Sequence, residues 1–564
     1  MGRHNFTISL RALNIFILMI LLLGAIIAIC LLAAVPPISR DALIHHLNIP
    51  KLYLQHGGMY EIPDLHFSYY PMNLDLLYLI ALYLKNDILP KYIHFVFALV
   101  TAAMIYQYLK KRLDIVYAVL GGLIFLSLPI IVKLSSTAYV DLGLICFSFA
   151  SLLCLLKWIE NAFKWRYLVL AAVFCGLALG TKYNGLIVLF LLTLFVPFIY
   201  SRQNPNRTIF KMRALGSGTM FLAISLMVFS PWMIRNYVWT QNPIYPLYDN
   251  IISPGEPIPA GGFGEQRHFY VRKNVYNETW AEIALIPIRI FFQGKDNNPK
   301  YFDGRLNPFL FILPFFAFLP FIKESRQFRT EKWSFLFFSI FFILLVYFRR
   351  DMRIRYVGPV IPPLVILAAC GIYRLNDFFT ARLATKKSGV RIKQILIFCV
   401  ISVMLGLNAI YIHSRFMYVK PLSYISGTLS RNEYIEQYRP EYPVMQYANE
   451  NLSDNVKILS IYTGNRGYYC EKNIVCDLNL LKNIAGDANK PYLVTKELKE
   501  MGFSHLLINH ELFNYWAKDY SIHEKKILKS FFKQNVTKIF CKNNHGLYRI
   551  EIRNNDSNLS MDSR

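Results

Sequence analysis

Long apolar runs, broken by short clusters rich in lysine and arginine, dominate the chain up to residue 412. Eleven of them are candidate membrane spans: 13–34, 91–109, 115–132, 139–156, 167–182, 185–200, 213–231, 307–322, 333–348, 357–373 and 394–412. A helix needs about 20 apolar residues to cross the hydrocarbon core, so the pattern predicts a polytopic helical bundle. The stretch 74–84, LDLLYLIALYL, is apolar but has only 11 residues, a length that suits an interfacial or re-entrant helix. The first run is too long for a signal-peptide core and lacks a small-residue cleavage pattern, so it reads as a retained helix.

After residue 412 the pattern turns polar and mixed. VKILSIY and HLLINH read as buried strands, while PYLVTKELKEMG and EKKILKSFFKQN read as helices. The expected fold class is therefore an all-α polytopic membrane bundle of about eleven transmembrane helices plus juxtamembrane helices, with a C-terminal extracytoplasmic α/β domain. The expected division is a membrane module over 1–412, with outer loops 35–90 and 232–306, and a soluble domain over 413–564. The outer loops are rich in Tyr, Trp, Pro and His and suit the walls of a cavity above the bundle.

Composition agrees with this reading. The 564 residues are 55% hydrophobic and 17% charged, against about 25% charged in soluble domains. A net charge of +26 would suit a nucleic-acid partner in a soluble protein. In a membrane protein it follows from Lys and Arg collecting in cytoplasmic loops, so no nucleic-acid partner is expected. With the N-terminus cytoplasmic, the inner segments hold 22 Lys or Arg and the outer loop 35–90 holds three.

One loop breaks the rule. YFRRDMRIRYVGPV falls outside, yet carries Arg349, Arg350, Arg353 and Arg355. Either a helix is miscounted, or these guanidinium groups face an extracytoplasmic anion at the membrane surface. Guanidinium pairs well with phosphate, and a helix starting near the following prolines would add backbone donors.

Acidic and basic residues at the outer helix ends are the other candidates. Asp41, in SRDALIHHLNIPK, suits a general base toward an acceptor, with His45 and His46 orienting it or joining it around a divalent metal. Equally, Asp41 suits an N-cap. Asp141, in SSTAYVDLGL, is a functional carboxylate or a helix-start residue. Lys182 snorkels or meets a phosphate. Arg235 and Asn236 anchor at the interface beside Trp232, or join the same site. Glu61, Asp64 and His66 read as a solvated loop more readily than as a second acidic group. Of nine cysteines, six lie in apolar runs; Cys470 and Cys476 have the spacing for a short-loop disulfide if the tail is extracytoplasmic.

RDALIHHLNIPKLYL, YYPMNLDLLYLIAL, AYVDLGL, LALGTKYNGL, SPWMIRNYVWTQNPIYPL and RIRYVGPVIPPLVILAA occur in that order. The set resembles GT-C superfamily membrane glycosyltransferases of the family 39 type, relatives of protein O-mannosyltransferases and lipid A aminoarabinose transferases. It covers roughly 10–412. The resemblance implies a polyprenyl-phosphate-linked sugar donor, an envelope acceptor and a catalytic module over 1–412. It implies that Asp41 is the catalytic base or acceptor-positioning group. It also implies that Lys182, Arg235, Arg353 and Arg355 bind the lipid phosphate; His45, His46, Asp141 and Tyr356 are the further substrate-binding candidates. Ala42 stands where many relatives carry a second acidic residue, which weakens the case for a metal, and no WWDYG-like motif is present.

The expected function is an integral-membrane glycosyltransferase of the bacterial inner membrane, acting on the extracytoplasmic face. A flippase or transporter of lipid-linked sugars is the alternative, and it would use the same arginines without transfer chemistry. Such transporters often carry internal repeats, and none is seen. A third reading is a structural envelope protein whose tail binds a partner.

Overall fold

At Leu128 the run 115–132 breaks. Asp114 caps the helix Ile115–Ser127 by accepting from the backbone N–H of Val116 (2.7 Å) and Tyr117 (3.2 Å). Pro129 then disfavours helical backbone at the preceding residue, and Leu128 turns to ψ 135°. The helix Pro129–Ser135 leaves at 65° to its predecessor, so this expected straight span is a bent pair.

The computed structural model describes residues 2–203, 208–249, 267–319, 324–349, 351–383 and 387–551. Among these, eight helices are long and apolar enough to cross a membrane, or nine with the bent pair. The expected spans 167–182 and 307–322 coincide with shorter apolar helices, Trp165–Thr181 and Phe309–Phe316, the latter with Pro314 inside it. LDLLYLIALYL folds as the helix Asn73–Tyr83. The chain is thus a multi-pass helical membrane protein with a small C-terminal sheet.

The contacts divide the chain into two units, Met1–Val35 with Tyr69–Leu422, and Pro36–Ser68 with Ser423–Arg564. This differs from a boundary at 412/413 with the loop 35–90 kept whole. Leu43, Leu47, Ile49 and Tyr53 in the first part of that loop are buried. The loop is also tied to the C-terminal segment by backbone and lysine contacts. Tyr468 N–H donates to Leu43 O (3.2 Å), Tyr469 Oη to Pro37 O (2.7 Å), and Lys51 Nζ to the carbonyls of Tyr468 (2.8 Å) and Cys470 (2.6 Å).

In the membrane unit, burial sorts the helices. The apolar windows of Ile354–Thr380 and Asp141–Glu160 are 89% and 78% buried, against 17% for both Arg11–Ala33 and Ile395–Val419. The first two are the centre of the bundle, and the candidate residues Asp141 and Arg355 both lie on them. The 3₁₀ turn Ile354–Val360 packs on the Asp141–Glu160 helix through Gly358, where a Cβ would come within 2.9 Å of the Ile145 side chain.

The second unit carries a five-stranded sheet in the order β2-β1-β3-β5-β4, with β1 Lys457–Ile461, β2 Asn473–Cys476, β3 His505–Asn509, β4 Val536–Lys542 and β5 His545–Ile550. Strands β2, β1 and β3 are parallel; β5 is antiparallel to β3 and β4. Alternating side chains serve opposite faces. Leu459, Leu506 and Ile508 pack with Leu481, Ile484, Leu498 and Phe531, while Ile458 and Leu507 pack with Val444, Met445 and Ala448. The expected strands and helices of this segment are all present. The suggested Cys470–Cys476 disulfide is not: both are free thiols, and burial pushes the Cys476 thiol up to about 12.

Candidate functional site

Asp141 opens a central helix of the membrane unit and is only 1% exposed. A carboxylate so placed needs a cation. Lys182 supplies one: its Nζ donates to Asp141 Oδ1 at 2.7 Å. Lys182 reaches it because the Trp165–Thr181 helix stops there and Lys182 adopts extended backbone, φ −164°, ψ 141°. Asp141 Oδ2 is buried and has no hydrogen-bond partner among the described residues.

Arg353, Arg355 and Tyr356 bring a second group to the same place. The Arg355 guanidinium, 8% exposed, lies 5.3 Å from the ring centroids of both Tyr139 and Tyr356. Lys182 Nζ lies 5.6 Å, and the Arg353 guanidinium 6.0 Å, from the Tyr356 ring. Three cations therefore gather about one tyrosine ring, whose quadrupole attracts them. Arg353 also approaches Asp303 at 3.9 Å, and Asp303 is held by Lys133 at 3.0 Å. Lys133 further pairs with Asp296 at 3.2 Å, and Tyr411 Oη donates to Asp296 at 2.7 Å. Burial opposes ionisation of Asp296, but the Lys133 charge and the Tyr411 hydrogen bond together hold its pKa below the ordinary value. Around Tyr356 the count is Lys182, Arg353 and Arg355 against Asp141 and Asp303, a cationic excess that suits an anion.

Several groups that shape this site carry no signal in the sequence. His94 sits in an apolar helix, yet its Nε2 accepts from Leu142 N–H (2.8 Å) and its Nδ1 faces the carbonyls of Leu134 (3.0 Å) and Thr137 (2.9 Å). Carbonyls only accept, so the proton is on Nδ1 and the ring is the neutral tautomer. It pins the turn that presents Asp141. Tyr78 Oη donates to Tyr139 O in the same turn. Asp303 and Lys133, which carry Arg353, are likewise invisible before the fold is known.

Arg235 occupies an aromatic slot, 4.6 Å from Trp232 and 5.0 Å from Trp239. It donates to Asn236 Oδ1 (2.8 Å) and to Tyr70 O (3.1 Å), and Asn236 Nδ2 donates to Tyr183 Oη (3.1 Å). A hydrogen-bonded chain therefore runs from Arg235 to the residue after Lys182. The Arg350 position, the side chain of Arg349 and residues 250–266 of the second outer loop lie outside the described residues.

Asp41, His45 and His46 belong to the other unit. Asp41 precedes the π-helical turn Ala42–His46, and its side chain makes no capping hydrogen bond. Leu43 O, within this turn, accepts from Tyr468 N–H at 3.2 Å. Such π turns are frequent at functional positions. His45 stacks on Phe67 at 4.3 Å and tilts against His46 at 4.0 Å. Among the described residues no three His, Cys, Asp or Glu side chains converge as metal ligands.

The family model for dolichyl-phosphate-mannose-protein mannosyltransferase matches residues 79–234. No curated protein sequence matches the chain. The structure is similar to ArnT from Cupriavidus metallidurans in the apo state (TM-score 0.56, 12% identity, 96% of this chain and 98% of that one). It is also similar to the same protein bound to undecaprenyl phosphate (TM-score 0.52, 11% identity, 96% and 98%). The apo Archaeoglobus fulgidus oligosaccharyltransferase matches as well (TM-score 0.52, 9% identity, 92% of this chain and 73% of that one). At these identities the likeness is one of fold, shared with ArnT and with the oligosaccharyltransferase.

Proposed function

We propose that this chain is a glycosyltransferase that moves a sugar from a polyprenyl-phosphate carrier to a cell-envelope acceptor on the extracytoplasmic face of the membrane. The observation that carries the reading is the gathering of Lys182, Arg353 and Arg355 around Tyr356 beside a buried carboxylate. The GT-C fold and the undecaprenyl phosphate held by the similar ArnT structure support it. Charge counting along the loops supports the extracytoplasmic side, because it leaves the arginine segment opposite the basic inner loops.

The chemistry follows from charge. When a sugar leaves a lipid phosphate, negative charge grows on the phosphate oxygen. Preorganised guanidinium and ammonium groups stabilise that charge and need no reorganisation as it forms. Arg355 is fixed by two aromatic rings, and Lys182 by Asp141. In this reading Arg235 contributes from its aromatic slot. Asp41 takes the proton of the acceptor nucleophile, and His45 and His46 orient it. Because the sugar arrives already activated on a lipid, no nucleotide-binding loop is required.

The test is turnover. Purified protein is given polyprenyl-phosphate sugar extracted from its host membranes, and release of free polyprenyl phosphate is followed in the presence of host envelope glycolipids. The reading expects release by the wild type and its loss in Arg355→Ala. Asp41→Asn separates transfer from flipping: a transferase stops releasing carrier, while a flippase keeps moving lipid between leaflets.

A further inference from the structure

The C-terminal unit holds a polar cleft at the carboxyl edge of its parallel strands. The chain leaves β1 toward β2 on one side and later enters β3 on the other. In open α/β sheets, ligands bind outside the carboxyl ends of the strands where the strand order reverses. That reversal lies between β1 and β3, and the cleft sits one place further along, at the carboxyl end of β3 against β5. Here β3 ends at Asn509, paired in register with His545 at the start of β5. A cavity of about 550 Å³ opens at this edge, and Glu436 and Gln437 of the helix Arg431–Tyr438 form its far wall. The size lies within the usual range of small-ligand sites, about 300–1,000 Å³.

Hydrogen bonds hold the frame of the cleft and occupy its polar groups. His545 is 4% exposed. Its Nδ1 lies 2.7 Å from Asn543 O and its Nε2 3.1 Å from Asn509 Nδ2, so a neutral ring donates to the carbonyl and accepts from the amide. Glu436 accepts from Lys542 (3.1 Å) and from Asn543 Nδ2 (3.0 Å) and so clamps the β4–β5 hairpin. That hairpin turns on Asn543 and Asn544, at φ 50° and 60°, a left-handed pair that asparagine tolerates. His510 N–H donates to Asn544 O at 2.8 Å and holds the tip from the other side.

What remains for a ligand is Gln437, Glu511 and Asn544, whose side chains make no hydrogen bond among the described residues. Two amides offer both donors and acceptors, and a carboxylate offers acceptors only. Among the described residues no lysine or arginine lines the cavity, and Lys542 beside it is engaged by Glu436. A rim carboxylate without a cation repels phosphates and acids. The set is matched to a neutral ligand dense in hydroxyl groups.

We propose that this cleft binds the neutral, polyhydroxylated part of a glycan. The assignment is independent of the transfer reaction and of the cationic site in the membrane unit.

The test uses the purified full-length protein in detergent on an array of immobilised neutral oligosaccharides, with sulfated and carboxylated glycans alongside. The expected result is a signal on a subset of the neutral glycans. Glu511→Gln/Asn544→Ala is expected to lower it by about tenfold, as loss of a hydrogen bond to a charged group would. Gln437→Ala is expected to lower it too, and Glu500→Gln, at an exposed site outside the cleft, to leave it unchanged. Unchanged thermal midpoints establish that the variants are folded. No signal on any neutral glycan, signal confined to the anionic ones, or full binding by folded Glu511→Gln/Asn544→Ala and Gln437→Ala overturns the proposal.

Discussion

Lys182 Nζ lies 2.7 Å from Oδ1 of Asp141, a carboxylate that is 1% exposed and begins a central helix of the bundle. Each residue makes the other tenable. Lys182→Met leaves Asp141 buried without its hydrogen-bonded cation, and removing one member of a buried pair costs about 3–5 kcal/mol. The expected outcome is a large drop in thermal midpoint for Lys182→Met, with most of it restored in Asp141→Asn/Lys182→Met. Thermal unfolding in detergent, arranged as a double-mutant cycle, checks this. If the double variant is no more stable than Lys182→Met alone, the pair is not coupled.

Gly358 controls how closely the arginine-bearing turn approaches the Asp141–Glu160 helix. A Cβ there would meet Ile145 Cγ1 and Cδ1, each at 2.9 Å. Overpacking of this kind costs about 1–3 kcal/mol. Gly358→Ala is expected to lower stability and to weaken phosphate binding by shifting Arg355, while Gly358→Ala/Ile145→Val regains part of both. Midpoints and lipid-phosphate affinities measured on the three proteins decide the matter.

Acid sensitivity is expected in the C-terminal unit. His505 is buried; that burial, with smaller repulsion from Arg549 and Lys499, lowers its pKa to about 4. Its unfolded value is about 6.5. Above pH 6.5 the folded and unfolded states bind no proton at this site. As the pH falls from 6.5 toward 4 only the unfolded state takes one up, so stability drops by at most about 1.4 kcal/mol per pH unit. His510 and His545 are shifted in the same direction and add to the slope. His505→Asn should flatten the slope between pH 6.5 and 4 without removing it. Unfolding midpoints across that range give the comparison.

The Arg355 guanidinium lies 5.3 Å from the ring centroids of two tyrosines, and a compact ammonium does not reproduce its planar, multi-donor geometry. Arg355→Lys keeps the charge but loses the planar fork, and a loss of about tenfold in lipid-phosphate affinity is expected, the scale of one charge-assisted hydrogen bond. Titration of polyprenyl phosphate into the purified variant reads the change; an unaltered affinity would reduce Arg355 to a structural residue.

The bundle was legible because a bilayer demands long apolar runs, and the strands of the C-terminal domain because VKILSIY and HLLINH are too apolar to be exposed. The break at Leu128 was signalled by Pro129, but the apolar run around it masked the signal. Asp141 and Lys182 stood out as single charges at the ends of apolar runs, and Arg353 and Arg355 as part of an arginine cluster following one. That they share one site was expected only through the family resemblance; their arrangement around Tyr356 was not legible, since it depends on how helices distant in sequence pack. His94 was hidden for the same reason: its partners are backbone groups at 134, 137 and 142. Nor could the pattern tell that Pro36–Ser68 packs with the C-terminal segment, because apolar positions such as Leu43 and Leu47 announce burial without naming what covers them.

The central claim is that Arg353 and Arg355 hold a lipid phosphate. Native mass spectrometry of the detergent-purified protein, wild type beside Arg353→Ala/Arg355→Ala, tests it most directly. The account predicts an adduct of polyprenyl-phosphate mass on the wild type that is lost in the double variant. Failure of the wild type to take up polyprenyl phosphate in excess, or equal uptake by a folded double variant, would contradict it.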